Sequence, residues 1–186
     1  MIIGITGRSG AGKSFLSEQL AQTLDFVHID IDKISHEVLS FDSSKMFLLN
    51  EFGSKIFNGE TLNRKMLGNI VFNDAEKLEK LNLFCQSEME KKIDDIIKNS
   101  KKSIILDYAL LCGLKQFELC EIKILLKADF DIRYSRVQTR ENISKEYFIS
   151  RDNSLADFNE KDFDFVFKNI SQNEINNLIN LLKSKI

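Results

Sequence analysis

The chain has 186 residues, 43% of them hydrophobic and 29% charged, with a formal net charge of −2. That length and balance fit one soluble α/β domain with a sizeable core and room for insertions. The near-neutral charge supplies no strong field for nucleic acid or an anionic membrane, so neither is expected as a partner.

No run approaches the roughly 18 apolar residues of a membrane span. The N-terminus opens on a strand candidate, without a charged-then-apolar leader. Cys85, Cys112 and Cys120 are widely spaced and form no C-x-x-C, which reads as reduced, buried thiols. A cytoplasmic protein is expected.

The first element is the apolar run Ile2–Thr6, a buried strand. It leads into Gly7-Arg8-Ser9-Gly10-Ala11-Gly12-Lys13-Ser14, a full match to G-x-x-x-x-G-K-[ST]. A helix-compatible stretch, Phe15–Leu24, follows. Strand, glycine loop and helix are the context in which such a loop cradles phosphate. The glycines let backbone N–H groups turn inward, and the helix adds its unpaired amides and positive dipole end. Lys13 is placed to neutralise β/γ-phosphates and the Ser14 hydroxyl to ligate Mg²⁺. The expected nucleotide-binding set is Gly7, Gly10, Ala11, Gly12, Lys13, Ser14 and Phe15. A dinucleotide-binding G-x-G-x-x-G is excluded because Phe15 stands where its third glycine falls.

The second strand candidate is Phe26–Ile29, followed by Asp30-Ile31-Asp32. On extended backbone Asp30 and Asp32 point the same way, one suited to the metal shell and one to an acceptor hydroxyl, whose proton it accepts. Asp32 is the choice for the acceptor. The alternative is that both cap a helix beginning near Lys33. From Lys33 to about Asn99 only helical patterns are found. In the sharpest, Asn73 or Asp74 caps a run with Leu78, Leu81, Phe84, Met89 and Ile93 at helical spacing. Gly53 and Gly59 bracket a turn region. Asn63-Arg64-Lys65 is either an acceptor or phosphate contact or a surface charge cluster.

Ser103–Asp107 is a third strand ending in an acid, a Walker-B-like pattern that points Asp107 at the metal or its waters. Glu121–Leu126 and Asp164–Phe167 complete five strands, which alternate with helices and so predict a parallel sheet flanked by helices. Arg136 and Arg140 are four apart on one helix face, with Arg133 on a neighbouring face. Their planar forks suit phosphate oxygens; otherwise they form a solvated basic face. The polar segment 141–162, carrying Arg151, reads as a mobile lid, which excludes water when closed. Asn173–Lys185 reads as a closing amphipathic helix. His28 and His36 have no partners at ligand spacing, and His28 reads as packing.

Several segments together resemble the dephospho-CoA kinase family. They are the N-terminal loop; Ile29-Asp30-Ile31-Asp32-Lys33-Ile34-Ser35-His36; Leu62-Asn63-Arg64-Lys65-Met66-Leu67-Gly68-Asn69-Ile70-Val71-Phe72; and Asp164-Phe165-Val166-Phe167-Lys168-Asn169. The resemblance runs through nearly the whole chain in order. It implies a phosphate-loop kinase core (about 1–32, 100–140 and 163–186), a helical CoA-binding insertion (about 33–99) and a lid (about 141–162). It implies transfer of the ATP γ-phosphoryl to the 3′-hydroxyl of dephospho-CoA, with Mg²⁺, in a monomer or weak homo-oligomer. By matching position it gives Lys13, Asp32 and Arg140 catalytic roles. Asp30, Asp32, Asn63, Arg64, Lys65 and Arg136 become substrate contacts, and Ser14 and Asp107 metal contacts. The chain departs from the family at Phe15, at Gln86-Ser87, at Ala109 and Gly113, and at Leu155. Two other readings stay open: a different nucleoside or nucleotide kinase, and a nucleotide-binding protein with weak or lost catalysis. A GTPase is not expected, because there is no D-x-x-G and no N-K-x-D.

Overall fold

The computed structural model describes residues 1–71, 73–153 and 157–185, Arg151 by its backbone alone. In chain order the regular elements are β1 (Ile2–Thr6), α1 (Lys13–Leu24), β2 (Val27–Asp30), α2 (Ile31–Glu37) and α3 (Asp42–Phe52). Next come β3 (Phe57–Asn58), β4 (Thr61–Leu62), α4 (Arg64–Val71), α5 (Ala75–Asn99) and β5 (Ile104–Asp107). The last are β6 (Ile122–Lys127), α6 (Phe130–Glu141), α7 (Lys145–Asn153), β7 (Phe165–Lys168) and α8 (Gln172–Lys183). The chain divides into two compact units, Met1–Asp30 with Ile97–Ile186, and Ile31–Ile96.

The first unit is built on a five-stranded sheet in the order β2-β5-β1-β6-β7, every pairing parallel. The near-continuous Ile/Leu runs in β5 and β6 are what a strand covered on both faces requires. On one face Ile3, Ile5, Ile105, Ile122, Ile124 and Leu126 pack with Leu16 and Leu20 of α1 and with Ile175, Leu178 and Leu182 of α8. Helix α8 starts on a capping box in which Ser171 and Glu174 satisfy each other's backbone N–H groups. On the other face Gly4 admits the side chains of Cys120 and Leu111, which a Cβ would meet at 2.7 and 2.9 Å. A parallel order with β1 at the centre puts the end of β1 between the ends of β5 and β6, where open α/β sheets bind ligands.

The second unit packs Leu48, Ile56, Leu67, Val71 and Leu81 into a small core of its own. Phe47 and Phe84 stack beside it with centroids 3.8 Å apart. Asp74, one of the two residues expected to cap the long helix, accepts from the Lys77 amide at 3.1 Å. The expectation of helices alone between 33 and 99 is corrected here, since β3 and β4 form an antiparallel hairpin around Gly59 (φ +63°). Two-residue strands leave no periodicity to read, and only the turn glycine signals them.

The thiols also need correction. Cys120 is buried, with burial pushing its thiol up to about 12, but Cys85 is half-buried and Cys112 exposed. All three are free.

Candidate active site

The turn after β1 is a cradle of backbone amides. Gly7, Gly10 and Gly12 adopt φ of +146°, +80° and +103°, values that residues with a Cβ rarely take. Two of them are also sterically fixed. A Cβ on Gly7 would lie 2.1 Å from the Leu126 carbonyl oxygen, and one on Gly10 would lie 2.6 Å from that of Arg133. Gly7→Ala is therefore expected to displace the loop from β6 and abolish nucleotide binding, checked by equilibrium titration with ATP. Helix α1 begins at Lys13 with no side-chain cap and no acid in its first turn. Its N-terminal amides and dipole are thus left for an anion from outside the helix. Lys13 is buried beside them, whereas Ser14 and Phe15 are exposed and Ala11 is buried in the loop.

Register brings the acids to the same sheet end. Asp107 aligns with Ile5 of β1 on one side and with Asp30 of β2 on the other. Asp107 is 2% exposed, and neither of its carboxylate oxygens has a hydrogen-bond partner. Among the described residues its ion-pair partner is His28, whose Nε2 lies 3.4 Å from Oδ2. A dry, unsatisfied carboxylate costs folding free energy and is a hard anionic donor of the kind Mg²⁺ or its waters need. No group of three or more His, Cys, Asp or Glu side chains suited to a metal occurs among the described residues. Ser14 and Asp107 are the oxygen donors that could serve a Mg²⁺, whose other ligands would have to come from outside the protein. His28, expected as mere packing, is an acid's partner instead.

Asp32 requires a correction of its geometry. Strand β2 ends at Asp30 and α2 begins at Ile31, so Asp32 is exposed in the first turn of a helix. The extended-chain argument that aims it with Asp30 does not hold. In the same unit, Asn63 caps α4 through the Met66 amide at 3.1 Å. Arg64 reaches the His36 carbonyl at 3.0 Å and the Ser40 hydroxyl at 3.3 Å, and Lys65 is exposed.

The three arginines of α6 have separate surroundings. Arg136 donates to the Gly10 carbonyl at 3.0 Å, so its guanidinium is at the phosphate loop. Arg140 is exposed and paired with the neighbouring Glu141. Arg133 is buried and grips Asp152 of α7 with both Nη atoms, at 2.6 and 2.8 Å. The segment expected as a mobile lid holds the helix α7, whose Phe148 is 1% exposed against Phe130 and Tyr134. The side chain of Arg151, and Leu155, lie outside the described residues. Sequence reasoning missed Arg8, which contacts Asp152 and Asp157. Its only signal was a charge at a variable position of the loop. Arg8, Arg133, Asp157, Phe158, the end of β6 (residues 125–127) and Ala128 line a cavity of about 380 Å³.

This arrangement has counterparts in known proteins. The family model for dephospho-CoA kinase matches residues 1–174. The dephospho-CoA kinase of Borreliella burgdorferi is 35% identical over 139 residues, 74% of this chain and 67% of that protein. That of Fusobacterium nucleatum is 34% identical over 151 residues, 78% of this chain and 76% of its own. The solved structure of dephospho-CoA kinase from Campylobacter jejuni superimposes with a TM-score of 0.62 at 26% identity, covering 99% of this chain and 96% of that one. A phosphate loop, a five-stranded parallel sheet and a match from the first residue through β7 agree on one assignment: the chain belongs to the dephospho-CoA kinase family.

Proposed function

We propose that the chain catalyses the last step of coenzyme A biosynthesis in the cytoplasm, moving the γ-phosphoryl of ATP to the 3′-hydroxyl of dephospho-CoA. The observation that carries this reading is the uncapped, glycine-built loop beside the unsatisfied carboxylate of Asp107, on a chain matched by the family model through residue 174. Backbone amides of Gly7–Ser14 and the Lys13 ammonium hold the β- and γ-phosphates. Ser14 and Asp107 would hold Mg²⁺ together with phosphate oxygens, and the ion would supply neutralising charge at the transferring group. The exposed Phe15 puts a ring where a small hydroxyl is usual, which leaves its backbone amide as the phosphate contact. Asp32 accepts the proton as the ribose oxygen bonds to the γ-phosphorus and the bond to the β–γ bridging oxygen breaks, releasing ADP.

Arg136 is already at the loop. Arg140 exchanges Glu141 for the developing charge on the phosphoryl group when the segment 141–162 closes as a lid. Asp30, Asn63, Arg64 and Lys65 contact the acceptor, for which residues 33–99 form the binding insertion. The test is detection of coenzyme A from purified protein, ATP, Mg²⁺ and dephospho-CoA, beside a panel of nucleosides and nucleotides. Faster turnover of a nucleotide would replace this reading. ATP binding without any product would instead favour a binding protein, as the departures at Gln86-Ser87 and at Ala109 and Gly113 motivate.

Asp32→Asn separates the base from the binding groups. It is expected to lower kcat by about 10²–10⁴-fold, the range for loss of a general base, while the equilibrium affinity for ATP stays unchanged. Equal losses in rate and affinity would remove Asp32 from the acceptor side.

A further inference from the structure

Arg8 stands at the first variable position of the phosphate loop, yet its guanidinium is held by acids from a segment about 150 residues away. Nη1 donates to the main-chain carbonyl of Asp152 at 2.5 Å and lies 3.5 Å from that residue's carboxylate; Nη2 donates to Asp157 at 2.8 Å. Asp157 is almost fully exposed, so water and salt weaken that pair. Asp152 is different. Its side chain is 11% exposed, it receives the bidentate fork of Arg133, and Arg133 is anchored in turn to the carbonyls of Ala128 (3.1 Å) and Ser9 (3.4 Å). One carboxylate thus joins the loop, helix α6 and helix α7. Burial raises the proton affinity of Asp152, but the hydrogen bonds and charges of Arg133 and Arg8 outweigh it and hold its carboxyl below the usual range. Without Asp152 the buried Arg133 fork would lose the carboxylate it grips, and Arg8 would be left to the exposed Asp157.

We propose that Arg8 is a positioning residue for ATP binding, which ties the phosphate loop to the C-terminal end of α7 through Asp152 and is drawn away from the phosphates by that tie. This rests on the kinase reading above. The loop's amides then keep their inward aim, because the Arg8 side of the turn is held from outside by a carboxylate that Arg133 has already fixed. Phe148 anchors the middle of α7 by packing, so the Arg8 contact governs only the last turn of that helix.

The test is a double-mutant cycle of Arg8→Ala and Asp152→Asn, read in three ways. ATP affinity is measured at equilibrium without acceptor, steady-state constants with ATP and dephospho-CoA, and amide hydrogen exchange across Lys145–Asn153. Arg8→Ala is expected to weaken ATP binding about tenfold, as misplacement of a preorganised site does. The KM for dephospho-CoA stays unchanged, and exchange at the end of α7 quickens about tenfold through easier local opening. The double variant is expected to lose no more ATP affinity than the worse single variant.

ATP affinity unchanged in Arg8→Ala overturns the proposal. So does weakened affinity with unaltered α7 exchange and multiplicative losses, because Arg8 would then touch phosphate directly. Asp152→Asn strands the buried Arg133 and risks misfolding. In that event Arg8→Ala, which leaves the Arg133–Asp152 pair intact, decides through affinity and exchange together. If the wild-type protein binds ATP but makes no coenzyme A, the functional reading fails, while the affinity and exchange arms still decide the role of Arg8.

Discussion

Lys13→Ala is expected to reduce kcat/KM by about 10³-fold, at the upper end of what loss of one preorganised electrostatic contact produces. The ammonium is the one loop charge that the sequence motif itself positions, and it sits 8% exposed at the first residue of α1. Charge there is little screened by solvent, so its attraction for a developing phosphoryl charge exceeds that of a surface lysine. The loop's shape is set by three glycines and by contacts to Leu126 and Arg133, none of which involves the Lys13 side chain. The protein should therefore remain folded, with a melting temperature within a few degrees of wild type, since about 1 kcal/mol moves a chain of this size by about 2–4 °C. Lys13→Arg should fail to restore activity, because a planar fork cannot replace a compact point charge in a buried cradle. The measurement is the initial rate of coenzyme A formation beside a thermal melt. Activity within tenfold of wild type in the alanine variant would remove the loop from the chemistry.

Such a prediction was available from the sequence because a phosphate loop is local. Eight consecutive residues specify both a backbone shape and its ligand, and the strand before and helix after are legible from their own periodicities. The five strands follow the same logic. Buried parallel strands are short apolar runs, and the observed spans differ from the expected ones by at most a single residue at either end. What could not be read is whatever depends on long-range pairing or on where a strand gives way to a helix. Asp32 fell on the far side of such a change: β2 stops at Asp30, and the helix that starts at once turns Asp32 through a different angle. The Arg8–Asp152–Arg133 junction joins residues whose proximity depends on the β6–α6–α7 path. The His28–Asp107 contact depends on the β2–β5 register, and no residue near either member in sequence announces it. The position of Asp107 was legible as a type, an acid ending a hydrophobic strand. That both its oxygens lack hydrogen bonds emerges only when β1 and β2 flank it and it is buried.

That last fact separates a functional acid from a structural one. A carboxylate retained to hold the fold together is hydrogen-bonded, and neutralising it destabilises the protein. Asp107 has no hydrogen bond, and the Nε2 of His28 lies 3.4 Å from its Oδ2. Removing the charge while keeping the shape relieves a desolvation penalty of about 1–3 kcal/mol. Asp107→Asn is accordingly expected to raise the melting temperature by about 2–12 °C, taking about 2–4 °C per kcal/mol for a chain of this length. The same change removes the anionic oxygen proposed for the metal, and kcat should fall by about 10²-fold or more. A gain in stability joined to a loss in rate is the signature of a group kept for chemistry against the interest of the fold. The experiment pairs a thermal melt without nucleotide with steady-state kinetics across a Mg²⁺ titration, in which the variant should need a higher Mg²⁺ concentration for half-maximal rate. A variant that melts lower and turns over at the wild-type rate would make Asp107 a structural residue held by His28, and the metal would have to be assigned to other oxygens.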